Sequence, residues 1–247
     1  MTPRQLALLI REFLLRTEKN SAVLLRDEFE AMRDELAAYL LERGVSGETI
    51  DDVLAEAERQ ILTRSARLSS IVGDAQRHVV RETAKALRAY LGTEIFAPDT
   101  PAVQQLIGRA QDGGALTELF RRLADPVREA AKNALTDGLL AGKSPAAIAS
   151  DLKEAASIPY ARALTISRTE TNEAHRAASR EFYRQAGIKR YVWMAVLDAR
   201  SCLICWRLHG QIFRTDRKAF SHPNCRCTLV PVTKRMKPVE TGPERFS

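Results

Sequence analysis

Apolar residues at helical spacing run through most of the first 90 residues. Five of them step by four and three, which is the spacing of a helix that packs lengthwise on another helix: Leu25, Phe29, Met32, Leu36 and Tyr39. After a break between Gly44 and Gly47 the spacing resumes, and no further proline occurs until Pro98. Because a short connection places successive helices side by side, this pattern predicts an elongated antiparallel hairpin, with Gly73 as the point of any interruption.

Composition supports a helical protein with a buried core. Only 6% of the residues are aromatic while 45% are hydrophobic, which favours helices over β-sandwiches. The net charge of +7 favours an acidic partner, but nearby carboxylates neutralise many of the basic side chains, so charge alone does not establish nucleic-acid binding. The apolar stretch before Arg11 is too short for a signal peptide or a membrane span, so we expect a cytoplasmic protein without a membrane partner.

A predicted boundary lies between Gly92 and Pro101, where a glycine is followed by two prolines. It separates an elongated helical domain, residues 1–95, from a helical connector, residues 96–134. Further prolines stand at positions suited to the first turn of a helix. They predict helices over 126–141, 145–155 and 159–186, the last of them ended by Gly187.

The C-terminal part changes in character. Aromatic and β-branched residues predict short strands at 191–197, 211–213 and 228–232. Residues 236–247 are predicted to form a weakly ordered tail. The expected fold class is therefore mainly α, with an N-terminal helical hairpin, a helical middle and a small C-terminal α+β module rich in cysteine.

Two groups of cysteine and histidine predict a metal site in this module. Cys202 and Cys205 form a CxxC pair, and His222, Cys225 and Cys227 follow about 20 residues later. Two ligand pairs joined by a loop can close a tetrahedral site. Cys202 and Cys205 are the preferred ligands, two more come from the second group, and His209 is a weaker candidate.

The alternative interpretation is two disulfides or four reduced, partly buried thiols, although a reducing compartment favours metal. One zinc ion would act as a structural staple, because residues 200–232 contain few large apolar side chains. A catalytic zinc would need an open coordination position and a general base. The chain has no HExxH motif, so we expect no enzymatic activity.

A polar stripe lies on the helix predicted to begin near Pro159. Arg168, Thr171, Asn172 and His175 are spaced i, i+3, i+4 and i+7 and share one face. The stripe either docks the cysteine module or an assembly partner, or it is simply solvated. The residues assigned a docking or structural role are Arg168, Thr169 and Glu170 on the helix, with Asp198 and Arg200 just before the first cysteine.

Basic residues are concentrated near the second half of the module. With aromatic residues interspersed, they could contact DNA phosphates and bases, although a basic tail also serves solubility. The candidates for DNA contact are Arg214, Arg217, Lys218, Lys234, Arg235 and Lys237.

Several of these motifs, in this order, resemble the phage head-morphogenesis family of Mu gpF-like minor head proteins. The motifs are Ile166-Ser-Arg-Thr-Glu-Thr171, Tyr191-Val-Trp-Met-Ala-Val-Leu-Asp198, Cys202-Leu-Ile-Cys205, Leu208-His-Gly-Gln-Ile-Phe213 and His222-Pro-Asn-Cys225-Arg-Cys227. The likeness begins near Leu135 and assigns residues 135–235 to this domain. Ser201 and Leu203 depart from the threonine and proline common in the family, but neither is a candidate ligand.

The resemblance implies a minor capsid component, present in a few copies, at the portal or in the head interior. It would contact portal and capsid proteins, with packaged DNA as a further candidate partner, and would act in head assembly and in DNA packaging or delivery. It would therefore be found in the virion, and in the host cytoplasm during assembly. Two alternatives remain open: a zinc-stabilised nucleic-acid-binding protein that is not part of a virion, and a zinc-dependent enzyme.

Overall fold

The chain is mainly helical and carries one small sheet, as the sequence predicts. A computed structural model describes residues 1–44, 49–93, 98–155, 157–218 and 220–233. No helix within these ranges is long and apolar enough to cross a membrane. The elements are α1 (Pro3–Arg43), α2 (Ile50–Leu91), α3 (Pro101–Gln104), α4 (Leu116–Arg121), α5 (Ala124–Leu140), α6 (Pro145–Ala155), α7 (Ser157–Gln185), β1 (Arg190–Met194), α8 (Leu203–Leu208), β2 (Ile212–Arg214) and β3 (Thr228–Pro231).

The chain divides into two compact units, and each is built from separate stretches of sequence. The helical unit comprises residues 20–72 and 112–167, and the sheet unit comprises residues 1–19, 73–111 and 168–247. This division differs from the predicted consecutive boundaries at residues 95, 134 and 235, because α1, α2 and α7 each contribute residues to both units. The predicted tail, residues 236–247, lies outside the described residues.

The helical unit contains an antiparallel hairpin made of residues 20–43 of α1 and 50–72 of α2, called the hairpin below. Its ion pairs show the direction, since Arg64 pairs with Glu35 at 2.6 Å while the later Arg67 pairs with the earlier Glu28 at 3.2 Å. Gly44 follows α1 with a φ of +76°, a conformation that glycine adopts without strain. The predicted turn residue Gly47 lies outside the described residues.

Four of the five predicted seam residues of α1 are buried: Leu25, Phe29, Met32 and Leu36. Tyr39 is only partly buried, and the Arg43 guanidinium lies 5.3 Å from its ring centre. Leu40 is fully buried instead. Tyrosine has a hydroxyl group that favours contact with water, whereas the leucine side chain is entirely apolar, which explains this one-residue difference from the predicted seam. The other long helix, α2, is continuous through Gly73, where the sequence allowed for an interruption.

Helices α5 and α6 pack closely within the helical unit. The Ser144 hydroxyl accepts a hydrogen bond from the Ala147 N–H at 3.3 Å, so Ser144 caps α6 as the sequence predicts. A Cβ atom at Gly138 would lie 2.5 Å from Cγ1 of Ile148, so any larger residue there would force the Ile148 side chain or the helices to shift. Helix α5 begins at Ala124, two residues before its predicted start, which places Asp125 inside its first turn.

The sheet unit contains a three-stranded antiparallel sheet in the order β2-β1-β3. The central strand pairs Tyr191 with Phe213 on one side and with Pro231 on the other. Strand β1 ends at Met194 rather than at the predicted Leu197, whose φ of 56° is incompatible with a strand. The apolar core of this unit draws on α1, α2, α7 and the sheet, and includes Leu6, Ile10, Val79, Leu87, Phe182, Tyr183, Tyr191, Trp193 and Leu229.

Candidate metal centre

The CxxC pair begins helix α8, in the segment of the sheet unit that we call the cysteine module, residues 190–233. Cys202 is the N-cap residue of α8, and its sulfur accepts a hydrogen bond from the Cys205 N–H at 3.4 Å. A short helical turn therefore brings both sulfurs to the same side. Cys205 is buried, whereas Cys202 is half-buried.

His222 completes a first group of three ligand atoms. Its Nε2 lies 3.3 Å from Sγ of Cys202 and 3.1 Å from Sγ of Cys205. Its Nδ1 lies 2.8 Å from the carbonyl oxygen of Pro223. Because a carbonyl can only accept a hydrogen bond, Nδ1 carries the proton and Nε2 presents its lone pair to the two sulfurs. This is the tautomer of a metal-binding histidine whose ring is oriented by a backbone carbonyl.

Cys225 and Cys227 form a second group with Cys205. The Sγ atoms of Cys205 and Cys225 are 3.9 Å apart, and those of all three cysteines lie within 4.8 Å of one another. Metal–sulfur bonds of about 2.3 Å and metal–nitrogen bonds of about 2.0 Å place the ligand atoms of a tetrahedral site roughly 3.5 to 3.8 Å apart. The spacings found within each group are close to these values, so either group of three, with Cys205 common to both, fits a metal ion.

Hydrogen bonds within the cluster shift the cysteine pKa values in different directions, since the pKa values of Cys205 and Cys227 are raised while that of Cys225 is lowered. Hydrogen bonds from the thiols of Cys205 and Cys227 lower the pKa of the Cys225 thiol, and the nearby Arg176 guanidinium acts in the same direction. Metal ions bind the thiolate rather than the thiol. His209, the weaker candidate, is not grouped with the other ligands among the described residues. Its Nδ1 accepts the Ala195 N–H at 3.1 Å, and burial lowers its pKa.

Asp198 connects the two ligand-bearing segments. Its carboxylate accepts hydrogen bonds from the Arg200 N–H at 3.0 Å and from the Ser201 hydroxyl at 3.3 Å, just before Cys202. The same carboxylate pairs with the guanidinium of Arg226, which lies between the last two cysteines. Arg226 is the main reason why the pKa of Asp198 lies well below its usual range. Arg200 is an exposed residue, and its contribution is the backbone N–H that it donates to Asp198.

The predicted polar stripe on α7 is internal rather than solvated. The Arg168 guanidinium pairs with Glu18 at 2.5 Å, and the Thr169 hydroxyl accepts the N–H of Asn224 at 3.1 Å, one residue before Cys225. Glu170 accepts the N–H of Gln111 at 2.6 Å. All residues from 169 to 176 are buried. This part of α7 therefore forms a polar scaffold inside the sheet unit.

His175 lies at the centre of that scaffold and is fully buried. The Thr83 hydroxyl donates to the carbonyl of Val79 at 2.6 Å, so it accepts from Nδ1 of His175 at 2.7 Å. The other ring nitrogen, Nε2, therefore accepts from the Thr228 hydroxyl at 2.8 Å. Burial lowers the pKa of His175 to about 3, with a smaller contribution from Arg176. The neutral ring thus links α2 to β3.

The predicted DNA-contact residues are only partly available to a phosphate. Arg214 is exposed but pairs with Asp216 at 2.5 Å, and Lys218 pairs with Glu173 at 2.8 Å. Arg217 is exposed. The remaining candidates, Lys234, Arg235 and Lys237, lie outside the described residues.

Sequence reasoning did not identify Arg176, whose guanidinium lies next to the ligand loop. Its i, i+3 spacing from Glu173 predicts an ion pair, but this signal does not identify an internal pair, because Glu181 and Arg184 have the same spacing and the Arg184 side chain is 70% exposed.

Comparison with known proteins supports the predicted family. Residues 129–230 match the family described as Phage Mu protein F like protein. An uncharacterized protein of Haemophilus influenzae is 24% identical over 166 residues, covering 65% of this chain and 37% of that protein. An NAD(+)--arginine ADP-ribosyltransferase of Enterococcus faecalis is 25% identical over 156 residues, covering 55% of this chain and 32% of that enzyme.

The chain thus spans only about a third of the length of either relative. No solved structure matches it. The family match runs from α5 to β3 and encloses every candidate metal ligand. It suggests a phage head morphogenesis protein and a location in the virion. The match of residues 129–230 to the Phage Mu protein F like family supports the resemblance predicted from the sequence.

Proposed function

We propose that this chain is a noncatalytic minor head protein, associated with the portal or the head interior, that acts in head assembly and in DNA packaging or delivery. The observation that carries the proposal is the family match over residues 129–230, which includes the whole cluster of ligand atoms. A domain that ends in such a cluster presents a rigid surface to other subunits rather than a substrate cleft. Portal and capsid proteins are the expected partners.

The metal in this proposal is one zinc ion held by Cys202, Cys205, His222 and Cys225. Sulfur and imidazole ligands in tetrahedral arrangement suit zinc, which supplies folding energy when all four positions are filled by protein. Cys225 is preferred over Cys227 because its sulfur lies 3.9 Å from that of Cys205, close to a tetrahedral edge. Cys227 then remains a buried thiol beside the site.

We infer that the chain has no enzymatic activity, because a zinc ion with four protein ligands would lack the exchangeable position that a catalytic zinc needs. One relative is an ADP-ribosyltransferase, but the matching region covers 32% of that enzyme. We expect the purified chain to release no nicotinamide from NAD⁺ and to transfer no ADP-ribose to arginine. Turnover that is lost in a variant of one candidate ligand would refute this part of the proposal.

DNA contact is a further proposal for the basic residues of the module. Because Arg214 and Lys218 pair with carboxylates, we expect weak, sequence-independent binding that falls steeply with salt. Tight binding by the isolated chain, without any association with heads, would favour the alternative of a nucleic-acid-binding protein outside the virion.

The first experiment is elemental analysis of the purified chain and of three variants. We expect about one zinc per chain, lost in Cys202→Ser and Cys225→Ser and kept in Cys227→Ala. Absence of zinc from the unmodified chain would remove the staple from the proposal. Zinc that is lost in Cys227→Ala and kept in Cys225→Ser would move the fourth ligand to Cys227.

The assembly role is tested separately, with tagged chains supplied during phage production. The unmodified chain should sediment with purified heads and coprecipitate with the portal protein, while Cys202→Ser combined with Cys205→Ser should not be incorporated. A chain that never associates with heads would refute the assembly role, whatever its zinc content.

A further inference from the structure

Arg176 on α7 is a buried cation that faces the loop carrying half of the ligands. Its side chain is only 3% exposed. The guanidinium donates to the Ser221 hydroxyl at 2.8 Å and to the carbonyl oxygens of Cys225 at 3.3 Å and Cys227 at 3.4 Å. Every one of these acceptors belongs to the segment 221–227, which also contains His222. A single side chain therefore contacts the ligand loop at both of its ends.

The loop needs such a contact because its own structure supplies little order. The segment 221–227 contains no helix or strand, and Asn224 adopts a φ of 59°, which is uncommon for a residue other than glycine. A planar guanidinium with five N–H donors can bind several oxygen atoms at once, whereas an ammonium group on a flexible stem cannot hold the same arrangement. The carbonyls it binds belong to ligand residues, so their position affects the position of the sulfurs.

Glu173 keeps the cation in place. Its carboxylate accepts from Nε of Arg176 at 3.0 Å, one helical turn away on α7. Glu173 also contacts Lys218 at 2.8 Å. Burial alone would raise the pKa of Glu173, but Arg176 and Lys218 offset this effect and lower it. Both members of the pair are therefore charged, and the buried guanidinium has a compensating anion.

We propose that Arg176 is the positioning residue of the metal centre, fixing the 221–227 loop so that its ligands meet those of the CxxC turn. The inference rests on the proposed metal site. It assigns to Arg176 an effect on metal affinity and on ligand geometry, which goes beyond a contribution to the stability of the fold. It also gives the buried Glu173–Arg176 pair a role that a pair of apolar residues could not perform.

The chain offers a matched control on the same helix. Arg184 and Glu181 have the same residue types at the same i, i+3 spacing, with a pair distance of 2.7 Å. The Arg184 side chain is 70% exposed, and its guanidinium pairs with the Glu181 carboxylate rather than with the ligand loop. Comparing Arg176→Lys with Arg184→Lys therefore isolates the loop contacts from helix propensity and from the loss of a guanidinium.

The test measures the Co²⁺ affinity of the full chain by competition with a chromogenic chelator, together with the visible absorption of bound Co²⁺, which reports tetrahedral geometry. Loss of a contact that orients metal ligands typically weakens affinity 10- to 100-fold. We expect a decrease of about that size for Arg176→Lys, with weaker visible bands, and no measurable change for Arg184→Lys. Ser221→Ala, which removes one loop contact and keeps the cation, should give a smaller decrease.

Two results would overturn the proposal. If Arg176→Lys binds Co²⁺ as tightly as the unmodified chain and with the same spectrum, Arg176 does not position the ligands, although the metal site stands. If the unmodified chain binds no metal, the proposed site fails and this inference fails with it. Should Arg176→Lys not fold, the affinity and spectrum of Ser221→Ala decide, and no change in either would refute the proposal.

Discussion

The hairpin and the cysteine module reach an ordered state by different means. The hairpin is stabilised by many apolar side chains that recur at helical spacing and are buried along its length. Leu25 and Ile61, both fully buried, are two of them. In the module, the buried residues include three cysteines, and the two ligand groups are separated by about 20 residues of sequence. With a metal ion bound as proposed, stability would be distributed in the hairpin and would depend strongly on one site in the module, so the two regions should respond differently to a single change.

The largest expected effect is the removal of metal. A structural zinc contributes roughly 10 kcal/mol or more to the folding of small zinc domains, so a chelator should disorder the module while the hairpin stays helical. The only two tryptophans, Trp193 and Trp206, both lie in the module. We expect their fluorescence to shift to the red while most of the far-ultraviolet circular dichroism is kept, with full recovery on adding Zn²⁺.

The double variant Cys202→Ser with Cys205→Ser should behave like the chelated chain even with excess Zn²⁺. If instead chelation leaves the tryptophan emission unchanged, the module does not depend on metal and the contrast with the hairpin disappears.

The converse change is a cavity in the hairpin. Ile61→Ala removes a fully buried side chain, and such truncations cost about 2 to 5 kcal/mol. We expect a lower midpoint in urea, read by circular dichroism at the helical minimum, with zinc content and Co²⁺ spectrum unchanged. Leu62→Ala is the matched control, because the adjacent Leu62 is 40% exposed and its truncation should change the midpoint little. A loss of zinc in Ile61→Ala would show that the two regions are not independent.

A smaller effect is expected at the contact between α5 and α6. Gly138→Ala places a methyl group 2.5 Å from Ile148, and the forced shift should destabilise the chain by about 1 to 3 kcal/mol. Gly73→Ala is the control, since a Cβ there meets nothing within 4 Å and alanine is favoured over glycine in a helix by up to about 1 kcal/mol. Urea unfolding should give opposite signs for the two variants. Stabilisation by both would mean that α5 and α6 are less closely packed than described.

The last prediction concerns pH. His175 has a folded-state pKa of about 3 against an ordinary value of 6.5, so between these values the unfolded chain binds one more proton than the folded chain. Its contribution is complete above pH 6.5 and is lost as pH falls, by about 1.4 kcal/mol per pH unit. We expect the free energy of unfolding to fall less steeply from pH 6.5 to 5 in His175→Gln than in the unmodified chain. Metal release at low pH affects both chains, so equal slopes would contradict a neutral buried His175.

The same contrast explains what the sequence could predict. The two long helices follow from the helical spacing of apolar residues, and the bounds of α6 and the end of α7 follow from Pro145, the Ser144 cap and Gly187, whereas α7 begins at Ser157, two residues before its predicted start. The ligand candidates follow from the CxxC motif and its partner group. Other features depend on contacts between distant residues, and no local pattern encodes them. These include the division into discontinuous units, the hydrogen bonds of the buried His175 with Thr83 and Thr228, and the contacts of Arg176 with the ligand loop.

The composition of the sheet unit also affects the order in which the chain can fold during synthesis. Its core joins Leu6 and Ile10 of α1 to Tyr191 and Leu229, which come much later in the chain. The helical unit needs nothing beyond residue 167. Contacts between residues far apart in sequence form late, because a long loop must close first. The apolar face of the first turns of α1 therefore lacks its partners in the sheet until the ligand-bearing segment leaves the ribosome, although its partners in α2 and α7 are made earlier.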